Sequence, residues 1–248
     1  MKNLTATLFA TAACLTNSAF AATILGNNAD NAINNTPALR TVTDVDELVK
    51  RGSNNANARN AVFVFQLPTL SLGEVFSGVS LSFTLMQNGA NLISGFSSAG
   101  GVAPTYNLDL YGLGSRATST VGTGDIYFGA AADGTDATLL QADLITSATT
   151  VGTVMFSGAS LTTYLNAQYA AGAGAGQFIF LRLNPDDTAG GEATNNQNYR
   201  VSMANNGTGS SPYSRITPII NFTAVPEPAS ASVLGLAACC VLLRRYRK

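Results

Sequence analysis

The sequence predicts an all-β domain, an antiparallel β-sandwich of jelly-roll type with one short helix. It is flanked by an N-terminal signal helix and a C-terminal transmembrane helix. Three observations carry this: several short runs of alternating apolar residues, Gly/Asn/Ser/Asp-rich connections between them, and one segment of helical period. With 248 residues and 46% hydrophobic content, the chain is long enough for a core of its own. It has no His and no Trp, and its three cysteines, Cys14, Cys239 and Cys240, all sit in the terminal apolar segments. The absence of His excludes an imidazole base, Ser-His-Asp or Cys-His nucleophiles, and His-ligated metals.

Met1 to Ala21 has the layout of a secretory signal peptide. Lys2 supplies a short positive region, Leu4 to Leu15 is largely apolar, and Ala19-Phe20-Ala21 gives small residues at the positions a signal peptidase reads, with cleavage expected after Ala21. The exported domain is expected over residues 22–224.

Ala61 to Leu67 is a near-continuous apolar run stopped by Pro68, as expected for a strand buried on both faces. Val79, Leu81, Phe83 and Leu85 alternate with Ser80, Ser82, Thr84 and Met86, the pattern of a strand with one inward face. Leu108 and Leu110 alternate with Asn107, Asp109 and Tyr111 in a third strand. Further strands are expected at about Thr138 to Ile145, Gly152 to Phe156, Gln177 to Leu183, Asn198 to Ala204 and Ile216 to Thr223. Between these, Leu161, Tyr164, Leu165, Gln168 and Tyr169 recur at helical spacing, with Ser160 as N-cap and Gly172 as stop. The Ala-Gly run that follows, Ala170 to Gly176, is expected to be a flexible connection. Val62, Phe63, Phe65, Leu81, Phe83 and Phe180 are the expected core.

After the last strand comes Val225-Pro226-Glu227-Pro228, then an uncharged run from Ala229 to Leu243, then Arg244, Arg245, Tyr246, Arg247 and Lys248. The prolines predict an extended, accessible stretch. As a helix the run spans about 22 Å, short of a hydrocarbon core of about 30 Å, so crossing requires the flanking arginines to snorkel or the bilayer to thin. The basic end places the tail on the cytoplasmic side and the domain outside the inner membrane.

This three-part tail resembles the PEP-CTERM sorting signal of bacterial exported proteins, with Pro226, Glu227 and Pro228 at its core. The resemblance implies recognition by an exosortase-like membrane enzyme and delivery to the cell surface or to an extracellular polysaccharide matrix. The central region, through Asp30 to Ile33, Arg59 to Leu67, Val79 to Leu85, Leu108 to Tyr111 and Phe178 to Leu183, resembles DNRLRE-type sandwiches and their carbohydrate-binding relatives. The Trp that this family often carries is missing here.

Without residues 1–21 and the tail beyond Pro228, eight basic residues face fourteen acidic ones, a net charge near −6, and no basic cluster reaches beyond Lys50-Arg51. Nucleic acid is therefore not expected as a partner. Three chemistries remain open. Tyr106 and Tyr111, with Asn107 and Asp109, could stack on and hydrogen-bond a glycan, or could simply finish the core. Asp186, Asp187 and Glu192 could hold calcium, or could form an ordinary solvated turn. Asp109, Asp125, Asp143 and Asp186 are numerous enough for a glycosidase pair, though a secreted surface needs no catalytic reason for carboxylates. The expected function is therefore a structural or adhesive surface or matrix protein, not an enzyme. A carbohydrate-binding module is the alternative, and a glycan-active hydrolase comes after it.

Overall fold

A computed structural model describes residues 19–26, 31–34, 39–40, 46–49, 59–96, 101–122, 125, 137–186, 197–204 and 217–227. They form two antiparallel sheets and one helix. The strands are β1 (Phe20–Leu25), β2 (Asn31–Asn34), β3 (Leu39–Arg40), β4 (Asp46–Val49), β5 (Arg59–Gln66), β6 (Glu74–Asn88), β7 (Asn91–Leu92), β8 (Leu108–Arg116), β9 (Thr138–Ile145), β10 (Gly152–Ser157), β11 (Phe178–Pro185), β12 (Tyr199–Ser202) and β13 (Ile219–Pro226). Helix α1 (Ala159–Ala170) follows β10. The first sheet runs β1-β13-β6-β12-β4, with β10 and β7 also paired to β6. The second runs β3-β2-β5-β11-β8-β9.

The alternation along β6 and β13 explains the sandwich. Leu81, Phe83 and Leu85 of β6, with Ile220 and Phe222 of β13, point inward and meet Phe63, Phe65, Leu108, Leu110, Ile179 and Leu181 of the second sheet in one buried cluster. Phe63 and Phe83 join the two layers with ring centroids 5.2 Å apart. The apolar run of β5 is buried on both faces because its outer side is covered as well. Val62, Val64 and Phe180 form a second, smaller cluster with Val121 from the segment after β8. Val62 and Phe180 therefore belong to this outer cluster and not, as expected, to the inter-sheet core.

Other boundaries also move. β6 begins at Glu74, ahead of the alternating residues, because β13 continues to pair with it past a bulge between Thr223 and Ala224. Strands β1 to β4 and β7 were not anticipated, and β1 takes in Phe20 and Ala21 from the end of the expected signal segment. Ser160 is not the N-cap. Gly158 occupies that position without a side-chain cap, and Ser160 Oγ instead donates to Leu140 O at 2.7 Å. Gly172 does end the helix region, at φ +96°. The run after it is tied down: Leu67 N–H donates to Gln177 O, and Gly176 N–H donates to Leu67 O. Among the described residues no helix is long and apolar enough to cross a membrane. Residues 1–18 and 228–248, which hold most of the expected signal and transmembrane helices, lie outside the described residues.

Candidate functional site

Asn107, just before β8, links two carboxylates. Its N–H donates to Asp186 Oδ1 at 3.0 Å, and its Nδ2 donates to Asp143 Oδ1 at 2.8 Å. Asp186 returns a main-chain bond to Asn107 O at 2.9 Å. Asp143 sits in β9 at φ +52°, a left-handed conformation uncommon outside glycine. That turn of the backbone directs its N–H at Asp109 Oδ1, 2.8 Å away on β8. Burial pushes the Asp109 carboxyl above its ordinary range, and the charges of Asp186 and Asp143 add to the effect, against the Asp143 N–H. The structure thus brings Asn107, Asp109, Asp143 and Asp186 together at one rim of the second sheet. Strained backbone and a raised carboxyl are features that concentrate at functional sites.

Asp125 does not join them. It pairs with Arg116 through both guanidinium nitrogens and accepts from Gly122 N–H, holding the segment after β8 against the outer face of the sheet. Beneath it, Arg116 stacks on Phe180 at 4.2 Å, and fully buried Arg182 donates to Asp125 O and Asn184 Oδ1. No sequence pattern marked this seam.

The tyrosines require a correction. Tyr106 is 1% exposed; its ring packs edge-on against Tyr199 at 5.5 Å, and its hydroxyl donates to Gln197 O at 2.6 Å. Tyr111 is also buried, with the Arg182 guanidinium 5.5 Å from its ring centre. Neither ring offers a face to a sugar, because each completes packing between strands. Of the expected calcium ligands, Asp187 and Glu192 lie outside the described residues, and among the described residues no group of three or more ligands could hold a metal.

The Val225-Pro226-Glu227-Pro228 stretch, expected as a sorting motif, starts inside the fold. Val225 pairs with Val75 and Pro226 with Glu74, and Glu227 N–H donates to Gly73 O at 2.6 Å. These residues are extended, as expected, but pinned to the sheet. Proline is tolerated there because it ends the strand. Phe20 and Ala21 lie opposite Ala224 and Thr223, so the start of β1 and the end of β13 share one end of the sheet. Pro228, Arg244, Arg245, Arg247 and Lys248 lie outside the described residues, and Ala19 is exposed.

The domain these elements define is an antiparallel two-sheet β protein. No protein-family model matches the chain, and no curated protein matches it.

Proposed function

We propose that this is an exported structural or adhesive protein of the cell surface or extracellular polysaccharide matrix, sorted by its C-terminal segment. The observation that carries the reading is the ordered tail: Val225-Pro226-Glu227-Pro228, fifteen uncharged residues, then a basic end. Its resemblance to the PEP-CTERM signal supplies the processing partner, an exosortase-like enzyme at the inner membrane, with signal peptidase acting on the other end. Support comes from the position of β13, whose pairing with β6 ends at Pro226, so a cut beyond Pro228 removes none of the described strands.

The test is cell fractionation of the full chain and of a chain truncated after Val225, with mass spectrometry of the mature C-terminus. The expected result is full chain in the surface or matrix fraction without its Arg-Arg-Tyr-Arg-Lys end, and truncated chain elsewhere. An intact basic end on the surface form would overturn the processing step, and identical distributions would overturn sorting.

A further inference from the structure

The outward face of the first sheet carries a row of uncharged polar side chains. Register aligns Thr23 of β1, Asn221 of β13, Ser80 of β6 and Ser157 of β10 in one row across four strands. Neighbouring strands are about 4.8 Å apart, so hydroxyl and amide groups recur at that interval. Thr23 Oγ1 donates to Asn221 Oδ1 at 2.7 Å, which orients the amide so that Nδ2 remains a donor toward solvent. The next row places Leu25 and Met155 at its two ends, each 67% exposed. The row lies in an open groove of about 640 Å³. At one end the groove reaches the first turn of α1, whose N-terminus has no side-chain cap and so presents main-chain N–H donors.

Charge selects the occupant. None of the residues lining the groove is ionisable, although the chain carries 13 basic and 14 acidic residues. A phosphate, carboxylate or lipid headgroup would find no counter-charge there beyond a helix end. Face-to-face packing with a second copy would need an apolar face, and the central row is polar. A partner with hydroxyl edges and C–H faces, neutral and extended, matches both rows.

We propose that this face binds a strand of uncharged polysaccharide lying along the Thr23-to-Ser157 row. The site deepens the matrix reading above, on which it rests for the source of the polymer.

The experiment is affinity electrophoresis of the full chain in detergent, in native gels containing hydroxyethyl cellulose, dextran or alginate. The expected result is retardation by a neutral polymer that persists in high salt, weakened about tenfold in Asn221→Val and in Met155→Ser, and unchanged in Leu139→Ser, an exposed residue of β9 on the other sheet. Ser157→Ala, at the end of the row, serves if Asn221→Val does not fold. Retardation by alginate alone, by no polymer, or equally in all variants would overturn the site. So would a dimer in sedimentation that Asn221→Val dissociates. Matrix deposition without polymer binding sinks the site alone; polymer binding with unchanged localisation on truncation sinks the sorting reading alone.

Discussion

Asn166 of α1 holds the main chain of Phe76 at both ends of its residue: Oδ1 accepts the Phe76 N–H and Nδ2 donates to the Phe76 C=O, each at 2.9 Å. One turn earlier Thr162 Oγ1 accepts from Val79 N–H at 3.1 Å. β10 pairs with β6 only from Leu85 to Ser80, so these two side chains, four apart on the helix, take over the strand edge where β10 stops. An open edge would otherwise be a template for pairing with another chain. Asn166→Leu should cost about 2 to 3 kcal/mol, because two main-chain groups lose their partner, and Thr162→Val about 1 kcal/mol. Denaturant unfolding checks both; equal and negligible losses would show that water replaces the helix at this edge.

The same helix sets the size of a residue on the other sheet. A Cβ built on Gly112 of β8 would lie 2.2 Å from Cζ of Tyr164, well inside contact distance. Gly112→Ala must displace a buried ring or bend the strand, and should cost about 1 to 3 kcal/mol or more. Tyr164→Ala should make Gly112→Ala nearly neutral in a double-mutant cycle, since the clash goes with the ring. Additive losses would place the strain elsewhere.

Legibility in the sequence followed how much each element depends on itself. β9 falls on Thr138–Ile145 and α1 covers the periodic residues, since turn chemistry and period are local signals. β2, with the sequence Asn-Ala-Ile-Asn, is a strand only because β5 and β3 flank it. The burial of β5 on both faces could be read from its apolar run, but the cover, Val121 and the Arg116–Asp125 pair, could not. At the rim, Asn107 and Asp109 were visible as polar residues of a strand. Their link to Asp143 depends on a left-handed backbone that sequence does not mark. Tyr106 reads as part of a platform beside polar neighbours, but strand order buries it against Tyr199.

Alkaline titration should expose Tyr164. Burial pushes its hydroxyl up to about 12, against about 10 in an unfolded chain. The native state therefore holds the proton more tightly, and the stabilisation is fully present below pH 10 and lost between pH 10 and 12. About 2 to 3 kcal/mol goes over that window from this group alone. Tyr169, likewise pushed up to about 12 by burial, adds to the fall. Tyr164→Phe should be less stable than the parent at neutral pH, because Gly114 N–H loses its acceptor. It should also lose less on going to pH 12; parallel curves would mean that the hydroxyl titrates in the fold as it does in the unfolded chain.

Asp109 should act in the opposite range. Its carboxyl is raised in the fold, so the native state binds that proton more tightly than the unfolded chain. Ionisation then opposes folding once pH rises above the unfolded value of 3.8. Asn at this position keeps an oxygen for the Asp143 N–H and has no charge to bury. The difference in Tm between Asp109→Asn and the parent should become more favourable to the variant as pH climbs from below 3.8 to neutrality. A constant difference would show that the carboxyl is solvated.

The Arg116–Asp125 pair should control the cover of the outer face. The carboxylate joins Arg116 to Gly122 N–H, and the same residue's C=O accepts from Arg182, so one aspartate fastens the crossing segment at both levels. Asp125→Ala leaves the main-chain bond but strands Arg116, whose side chain is 33% exposed and can turn to water. Solvent screening of that group brings the expected loss down to about 1 to 2 kcal/mol, below that of a fully buried pair. The larger effect is local. With its tether gone, the segment should lift from Val62, Val64 and Phe180, which the inter-sheet core does not need. Limited proteolysis between Arg116 and Asp125 should accelerate more than global unfolding does, and a hydrophobic dye should bind the native protein. Proteolysis rising only in step with global unfolding would show that Val121 alone holds the cover in place.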